Sequence, residues 1–422
     1  MHDSSLIVTR LEKISRYLMG FAVLLIYLAP FWWPFNDSGW VSLVRIAAFS
    51  SMLCVAWVAF LSPPVIRLHS GRLLFYSLIL LFTYLCLNAY FLGADAKVFR
   101  RLAFLSVFVF ALGTLKWDDR RIRQLAIILA ITGFTFALLS LLIKYMQNGL
   151  PTGYRKRGIY ESGLTGVADF GNTIVAAMHF AISIVMLTYL FLTEHKKMFW
   201  PLWLGMLATV AAYLMLTFTR TGWVACTVAG AVLFLLTWSR KSIPHYTLLV
   251  IFTAAVGYFF ANFFQYEFHQ RGLTYRDEIW LTVLERSKET WWFGKGVMAS
   301  FDSISIGGGR QLVHNSHSVY LEILYQTGLI GLIFYFLVIV FAVITLFKAR
   351  NLKEYSQGVK LAFSMLLAVS VVMVTELNSW IHTPNLLWQW LWIPLAYVLG
   401  ISSRASAAGS DKVVKAGQIS GS

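Results

Sequence analysis

Apolar residues occupy this chain in long runs, broken by short polar turns that carry Lys, Arg, Gly and Pro. Twelve such runs cover residues 15–33, 41–62, 74–93, 101–115, 124–145, 170–192, 199–218, 222–238, 244–264, 319–347, 361–379 and 384–401. Most come near the ~20 residues that a helix needs to cross a hydrocarbon core about 30 Å thick. The run at 319–347 is long enough to tilt or to project beyond the bilayer. One stretch departs from the pattern. From Gln265 to Gly328 the chain is polar over much of its length, yet dotted with Trp, Phe, Ile and Gly. A connection this long is functional or disordered, and its aromatic and aliphatic content argues for order. Four regions are therefore expected: spans one to nine within 1–264, a large loop carrying the active site at 265–318, spans ten to twelve within 319–402, and a disordered polar tail at 403–422. The expected fold class is an all-α polytopic membrane protein, with about twelve transmembrane helices and further helices inside the loop.

Composition sharpens this reading. The 422 residues are 58% apolar and 16% aromatic but only 13% charged, too little polar surface for a soluble protein. Cys54, Cys86 and Cys226 all fall inside apolar runs, with neither disulfide nor metal spacing. Arg10, Lys13 and Arg16 precede the first run and no small-residue cleavage site follows, which predicts a retained first span. No internal repeat of the kind transporters carry is visible. The net charge of +16 calls for an anionic partner. With no nucleic-acid motif and no dense basic tract, nucleic acid is set aside in favour of the lipid bilayer or an anionic substrate.

Lys and Arg in the short loops set the orientation. With the N-terminus inside, the inner segments hold Arg67/Arg72, Lys116/Arg120/Arg121/Arg123, Lys196/Lys197, Arg240/Lys241 and Lys348/Arg350/Lys353/Lys360. Both termini are then cytoplasmic and the 265–318 loop faces outward. That outer face is itself basic at Arg155-Lys156-Arg157, at Arg220 and through the large loop. Charges placed against the topogenic rule need another explanation, and an anionic ligand held at the outer surface is the simplest.

The candidate chemistry gathers in a few residues. At ~100° per residue, Arg276–Trp292 forms an amphipathic helix, with Ile279, Trp280, Val283, Leu284 and Trp291 on one side and Glu278, Glu285 and Glu289 on the other. Arg276 falls within the apolar stripe. An unpartnered guanidinium there costs several kcal/mol, so it snorkels, pairs with a carboxylate, or reaches into a cavity to grip phosphate. Arg220 lies in the tight LTFTRTGW turn between two apolar runs, where a charge marks either an interfacial anchor or a site. Arginine suits diphosphate because its planar fork donates paired, permanently charged hydrogen bonds. Arg271 is a further candidate, and Arg157 a weaker one within a run that also reads as a solvated loop. His314 and His317 stand where the loop re-enters the membrane, and either could accept a proton from a hydroxyl. Their spacing also permits a shared metal, but no Cys or convincing third acidic ligand lies nearby, so no metal is assigned. No Ser-His-Asp order, P-loop or dinucleotide fingerprint is present. Trp291, Trp292 and Phe293 suit an interfacial aromatic belt.

The order RDEIW, then WWFGKG, then a histidine followed by YLEILYQTGLIG, resembles the O-antigen ligase and polymerase superfamily of membrane glycosyltransferases, its ligase branch in particular. The family block is His-Asn-x-Tyr-Leu with a glycine eleven residues after the histidine. His317 has that spacing to Gly328, although Ser318 stands in the Asn position; His314-Asn315 has the dipeptide without the spacing. The resemblance covers about 155–335. It implies a GT-C-like fold in the bacterial inner membrane with its active site on the periplasmic face. It also implies transfer of an undecaprenyl-pyrophosphate-linked glycan to a sugar hydroxyl of lipid A-core, with inversion and without a metal, nucleotide-sugar or other cofactor. Arg220, Arg276 and His317 take the catalytic roles under this resemblance, with Arg271, His314, Arg157, Tyr320 and Trp280 binding substrate. A polymerase that uses a second lipid-linked glycan as acceptor, another lipid-linked glycan ligase, and a lipid-linked glycan transporter are the alternatives. Gathering of the polar residues at one face favours an enzyme over a transporter, whose polar groups spread through the midplane.

Overall fold

A computed structural model of the chain describes residues 2–33, 38–61, 72–115, 117–148, 158–261, 265, 274–301, 303–307, 311–350, 352 and 355–401. Arg157, Arg271 and the polar tail lie outside the described residues. The protein is an all-α polytopic membrane protein. Its helices are α1 (His2–Trp32), α2 (Gly39–Leu61), α3 (Arg72–Phe91), α4 (Ala96–Gly113), α5 (Asp119–Asn148), α6 (Thr173–Thr193), α7 (Trp200–Leu216), α8 (Arg220–Thr237), α9 (Ile243–Phe259), α10 (Arg276–Ser287), α11 (Val319–Ala349), α12 (Ser356–Thr375) and α13 (Trp388–Ile401).

Each of the twelve expected spans falls on a helix, but among the described residues nine are both long and apolar enough to cross a membrane. The other three are α4, whose first turns carry Lys97, Arg100 and Arg101, and the shorter α9 and α13. Where the sequence leads one to expect twelve equivalent spans, charge at one helix end and short length thus set these three apart. A two-stranded antiparallel hairpin, β1 (Ile304–Ile306) and β2 (Gln311–Val313), was not anticipated.

Helix α6 is the hub. Every residue from Ala176 to Leu192 is buried, and α5, α7 and α8 pack around it. Its start is capped by Asn172, whose side chain accepts from the Val175 amide at 2.8 Å, relieving one orphan donor of the first turn. Helix α8 also packs on α12, while α11 lies along α3. Helix α13 opens with a π-helical turn over Trp388–Trp392. The indoles of Trp388, Trp390 and Trp392 are fully buried, and each donates to a carbonyl, of His382 at 3.0 Å, Met178 at 3.3 Å and Trp380 at 3.1 Å. A buried indole N–H needs such a partner, and these bonds fix the segment between α12 and α13 onto the bundle.

The expected amphipathic helix is α10, one turn shorter than its pattern and continued by a 3-10 turn over Lys288–Thr290. Its apolar side packs as read, with Ile279 and Val283 buried against Phe301, Ile304, Ile306 and Tyr325, while Glu278, Glu285 and Glu289 face outward. Trp292 and Phe293 are exposed.

The long helix α11 is broken at Gly328, whose φ of 68° and ψ of −174° belong to a region open essentially to glycine. The WWFGKG segment lies against this break. The Leu329 amide donates to Trp291 O at 2.8 Å, and the Lys295 and Gly296 amides donate to Tyr325 O and Gln326 O at 2.8 and 2.9 Å. Gly294 (φ +71°) and Gly328 bring the two main chains so close that a Cβ on either would run into backbone of the other. The groups freed by breaking the helix are thereby satisfied by the motif that crosses it.

Candidate active site

Four elements meet in one cavity of about 440 Å³: the start of α8, the start of α10, the turn before α11, and the residue that ends α12. Arg220, Arg276 and His317 all line it, as the sequence reading expects, together with Thr219, Thr221, Thr274 and Glu376. Arg220 opens α8 directly after the α7–α8 turn, and its Nη2 donates to Thr274 Oγ1 at 3.1 Å. Arg276 opens α10, and its Nη1 reaches the same threonine oxygen at 3.5 Å. Thr274 therefore stands between the two guanidinium groups.

Glu376 ties the rest together. One carboxylate oxygen, Oε2, accepts from Arg276 Nη2 at 2.5 Å and from Thr221 Oγ1 at 3.5 Å. The other, Oε1, faces His317 Nδ1 at 2.9 Å. Arg276 Nε also donates to Thr375 O at 2.8 Å, so its guanidinium is held side-on by the end of α12. The alternatives left open for Arg276 resolve into a combination: it is carboxylate-paired and it lines a cavity. Burial by itself raises the Glu376 carboxyl, but the His317 hydrogen bond and the Arg276 charge outweigh it, and the group is held below the ordinary glutamate value.

With Nδ1 turned to the carboxylate, His317 presents Nε2 as its other nitrogen. A carboxylate on one ring nitrogen fixes the tautomer that leaves the second able to accept a proton. The backbone around the cavity is unusual. Phe218, Thr274, Tyr275 and His317 all line it, and all have left-handed φ, of 51°, 55°, 59° and 49°. Non-glycine residues of this kind cost about 1 kcal/mol or more each and collect where function demands them.

The remaining expected residues lie elsewhere. His314 and Asn315 line a smaller pocket with Glu322, Gln326 and Asn378. The Tyr320 hydroxyl donates to Ser370 O at 2.9 Å and its ring stacks on Phe336, so it joins α11 to α12. Trp280 packs on the small apolar cluster beneath α10. The structure does not bring these three into the arginine–histidine cavity. Glu376 was missed by the sequence reading, although a signal existed. With Glu322 it was one of two acids inside apolar runs read as spans, and such a residue is a site candidate by default.

No group of three or more His, Cys, Asp or Glu side chains placed to hold a metal occurs among the described residues. What the site presents is a pair of guanidinium groups about a shared threonine, beside a histidine backed by a carboxylate. Such an arrangement can bind an anionic group and accept a proton next to it.

Comparison with known proteins agrees with this geometry. Residues 204–336 match the family model described as O-Antigen ligase, a segment that contains Arg220, Arg276 and His317 but not Glu376. The chain is also 26% identical over 359 residues to an O-antigen ligase of Pseudomonas aeruginosa, covering 83% of this chain and 84% of that protein. Motif order, family match and a relative aligned over most of both lengths agree that this chain is similar to O-antigen ligases.

Proposed function

We propose that this protein is a membrane glycosyltransferase that moves a glycan from undecaprenyl pyrophosphate to a sugar hydroxyl of lipid A-core, at the periplasmic face of the bacterial inner membrane. The observation that carries the reading is the Arg276–Glu376–His317 linkage within a cavity that Arg220 also lines. Arg220 and Arg276 bind the diphosphate and stabilise the charge that grows on it as the glycosidic C–O bond breaks. The acceptor hydroxyl attacks the anomeric carbon from the opposite side, forming the new C–O bond with inversion. Its proton passes to His317 Nε2, and the imidazolium so formed is stabilised by Glu376. Diphosphate leaves with the bond's electrons. Two fixed guanidinium groups supply the positive charge that a divalent cation provides in other transferases, so no metal or other cofactor is needed for charge neutralisation.

The test is transfer by the purified full-length protein, with undecaprenyl-pyrophosphate-linked glycan, rough lipopolysaccharide and EDTA present. Product on lipid A-core is expected, and His317→Ala, Arg276→Ala and Arg220→Ala are each expected to lower the rate by about 10²-fold or more. Longer lipid-linked chains without lipid A product would reassign the protein as a polymerase. Glycan crossing a vesicle bilayer, with no covalent product, would overturn the enzyme reading.

A further inference from the structure

Beside the arginine–histidine cavity lies a smaller one, of about 150 Å³. The two share no lining residue, yet the same two stretches of chain wall both. In one stretch, His314 and Asn315 line the small pocket and His317 the large cavity. In the other, Glu376 lines the large cavity, and Asn378 and Ser379 the small pocket. Three residues of chain span no more than about 11 Å, so whatever occupies the small pocket sits next to the His317–Glu376 pair.

The pocket lining divides by burial. Glu322 and Gln326, one turn apart on α11, form its buried end and are already held. Both Glu322 oxygens accept from the Ser379 amide, at 3.0 and 2.8 Å. Gln326 donates to Glu322 Oε1 at 3.1 Å and accepts from the Trp380 indole at 3.1 Å. Toward the mouth stand Ser300, His314 and Asn378, all exposed, with Asn315 and Ser379 half-buried. Among the described residues none of these five side chains has a hydrogen-bond partner, and Asn315 Oδ1 lacks one although the atom is shut off from solvent. Uncommitted amides and hydroxyls around a fixed carboxyl suit a polyol, since every sugar hydroxyl both donates and accepts. Met298, Phe301 and Ile381 add an apolar patch for the C–H face of a ring. A cavity of this size accommodates one six-membered ring. The Glu322 carboxyl at its closed end disfavours phosphate there. Met298 and Ser379 also hold left-handed φ, of 64° and 60°, a strain that collects at ligand clamps.

We infer that this pocket is a sugar subsite for the acceptor, in which Asn315, Asn378 and Glu322 hold one neutral ring while Arg220 and Arg276 hold the donor diphosphate. The inference rests on the transferase reading for the identity of the acceptor. Inversion requires the hydroxyl to approach the anomeric carbon from the side away from the diphosphate. The small pocket adjoins His317 without containing either arginine, so a ring held there offers a hydroxyl, its own or its neighbour's, to the imidazole. Asn315 and Asn378 thereby select the acceptor and take no part in the proton transfer.

The experiment measures binding of fluorescent core oligosaccharide, cleaved from rough lipopolysaccharide, to the full-length protein in phosphatidylcholine nanodiscs. Wild type is expected to bind it saturably, with competition by the unlabelled oligosaccharide. The N315A/N378A variant is expected to bind it about tenfold more weakly, the scale of two lost hydrogen bonds, with affinity for the lipid-linked donor within about twofold of wild type. No saturable binding by wild type, or unchanged affinity in the variant, would overturn the subsite. Equal weakening toward donor and core would overturn it as well, since the pocket would then serve the donor or the fold at large. N378A alone, a change at an exposed position, gives the same comparison with a smaller effect of about threefold should the double variant fail to fold. In the transfer assay the acceptor KM should rise by a similar factor, with donor KM unchanged. Transfer with an unchanged acceptor KM in the variant would overturn the subsite and leave the ligase reading standing. Absence of transfer by wild type would overturn the ligase reading and leave the binding comparison still decisive.

Discussion

Glu376 holds two residues of unlike chemistry with its two oxygens: a guanidinium on one side and an imidazole on the other. That division makes its loss distinguishable from loss of either partner. Glu376→Gln keeps the size of the side chain but removes the charge that orients His317, so kcat should fall by about 10- to 100-fold. Donor KM should change little, because Arg220 and the Thr274 contacts remain. The same residue sets a pH dependence. Its folded-state value lies below the ordinary glutamate value of ~4.3, so its contribution to stability is present above that value and is lost as pH falls through the depressed one. Melting of wild type and Glu376→Gln, followed from pH 6 downward, should therefore show a gap that closes only below about pH 4. A gap that closed well above the ordinary glutamate value would overturn the assignment to Glu376.

At the scale of elements, the informative feature is the crossing of WWFGKG over the broken helix α11. Gly328 sits where a side chain would collide with the Trp292 carbonyl and would also be forced into a strained φ/ψ region. Gly328→Ala should cost on the order of 3 kcal/mol. Gly205→Ala, in open space on α7, should be neutral or stabilising by up to about 1 kcal/mol, as helix propensity predicts. Denaturation of the two variants in detergent, side by side, checks the contrast. Both motifs were legible in the chain as strings of residues. Their contact was not, because it is made by main-chain atoms of two segments far apart in sequence, and no side-chain pattern announces a main-chain crossing. The amphipathic pattern of α10 was legible for the opposite reason: periodicity is a local property, and Ile279 and Val283 are buried where it put them. Likewise Arg220 and Arg276 could be picked out by their charge beside apolar residues, whereas His317 was separated from His314 only by the resemblance of its spacing to Gly328. Glu376 had a signal too, as an acid inside an apolar run, but its partners Arg276 and His317 are far from it in sequence and nothing local ties them together.

For the whole molecule, hydropathy located every long helix and overcounted only in treating α4, α9 and α13 as equal to the rest. The three-residue strands were invisible, since β1 and β2 are too short for alternation to register. Orientation gives a direct prediction. A cysteine at Leu312, exposed on β2, should react with a membrane-impermeant maleimide in intact spheroplasts. One at Met198, exposed in the turn between α6 and α7, should react only after permeabilisation. The reverse pattern would place the head in the cytoplasm.

The crossing at Gly294 and Gly328 also constrains how a bulky lipid-linked chain gets in and out. A head docked onto α11 through backbone hydrogen bonds, with α3 reaching up through Asn88 to the Phe293 carbonyl and the Val297 amide, has little freedom to swing away as a lid. The cavity wall on that side is a fixed jamb. The opposite wall is where the start of α8 faces Thr274 through the Arg220 side chain. On the proposed function, the lipid-linked chain would slide in along the bundle's flank, through a doorway framed by Arg220 and Arg276.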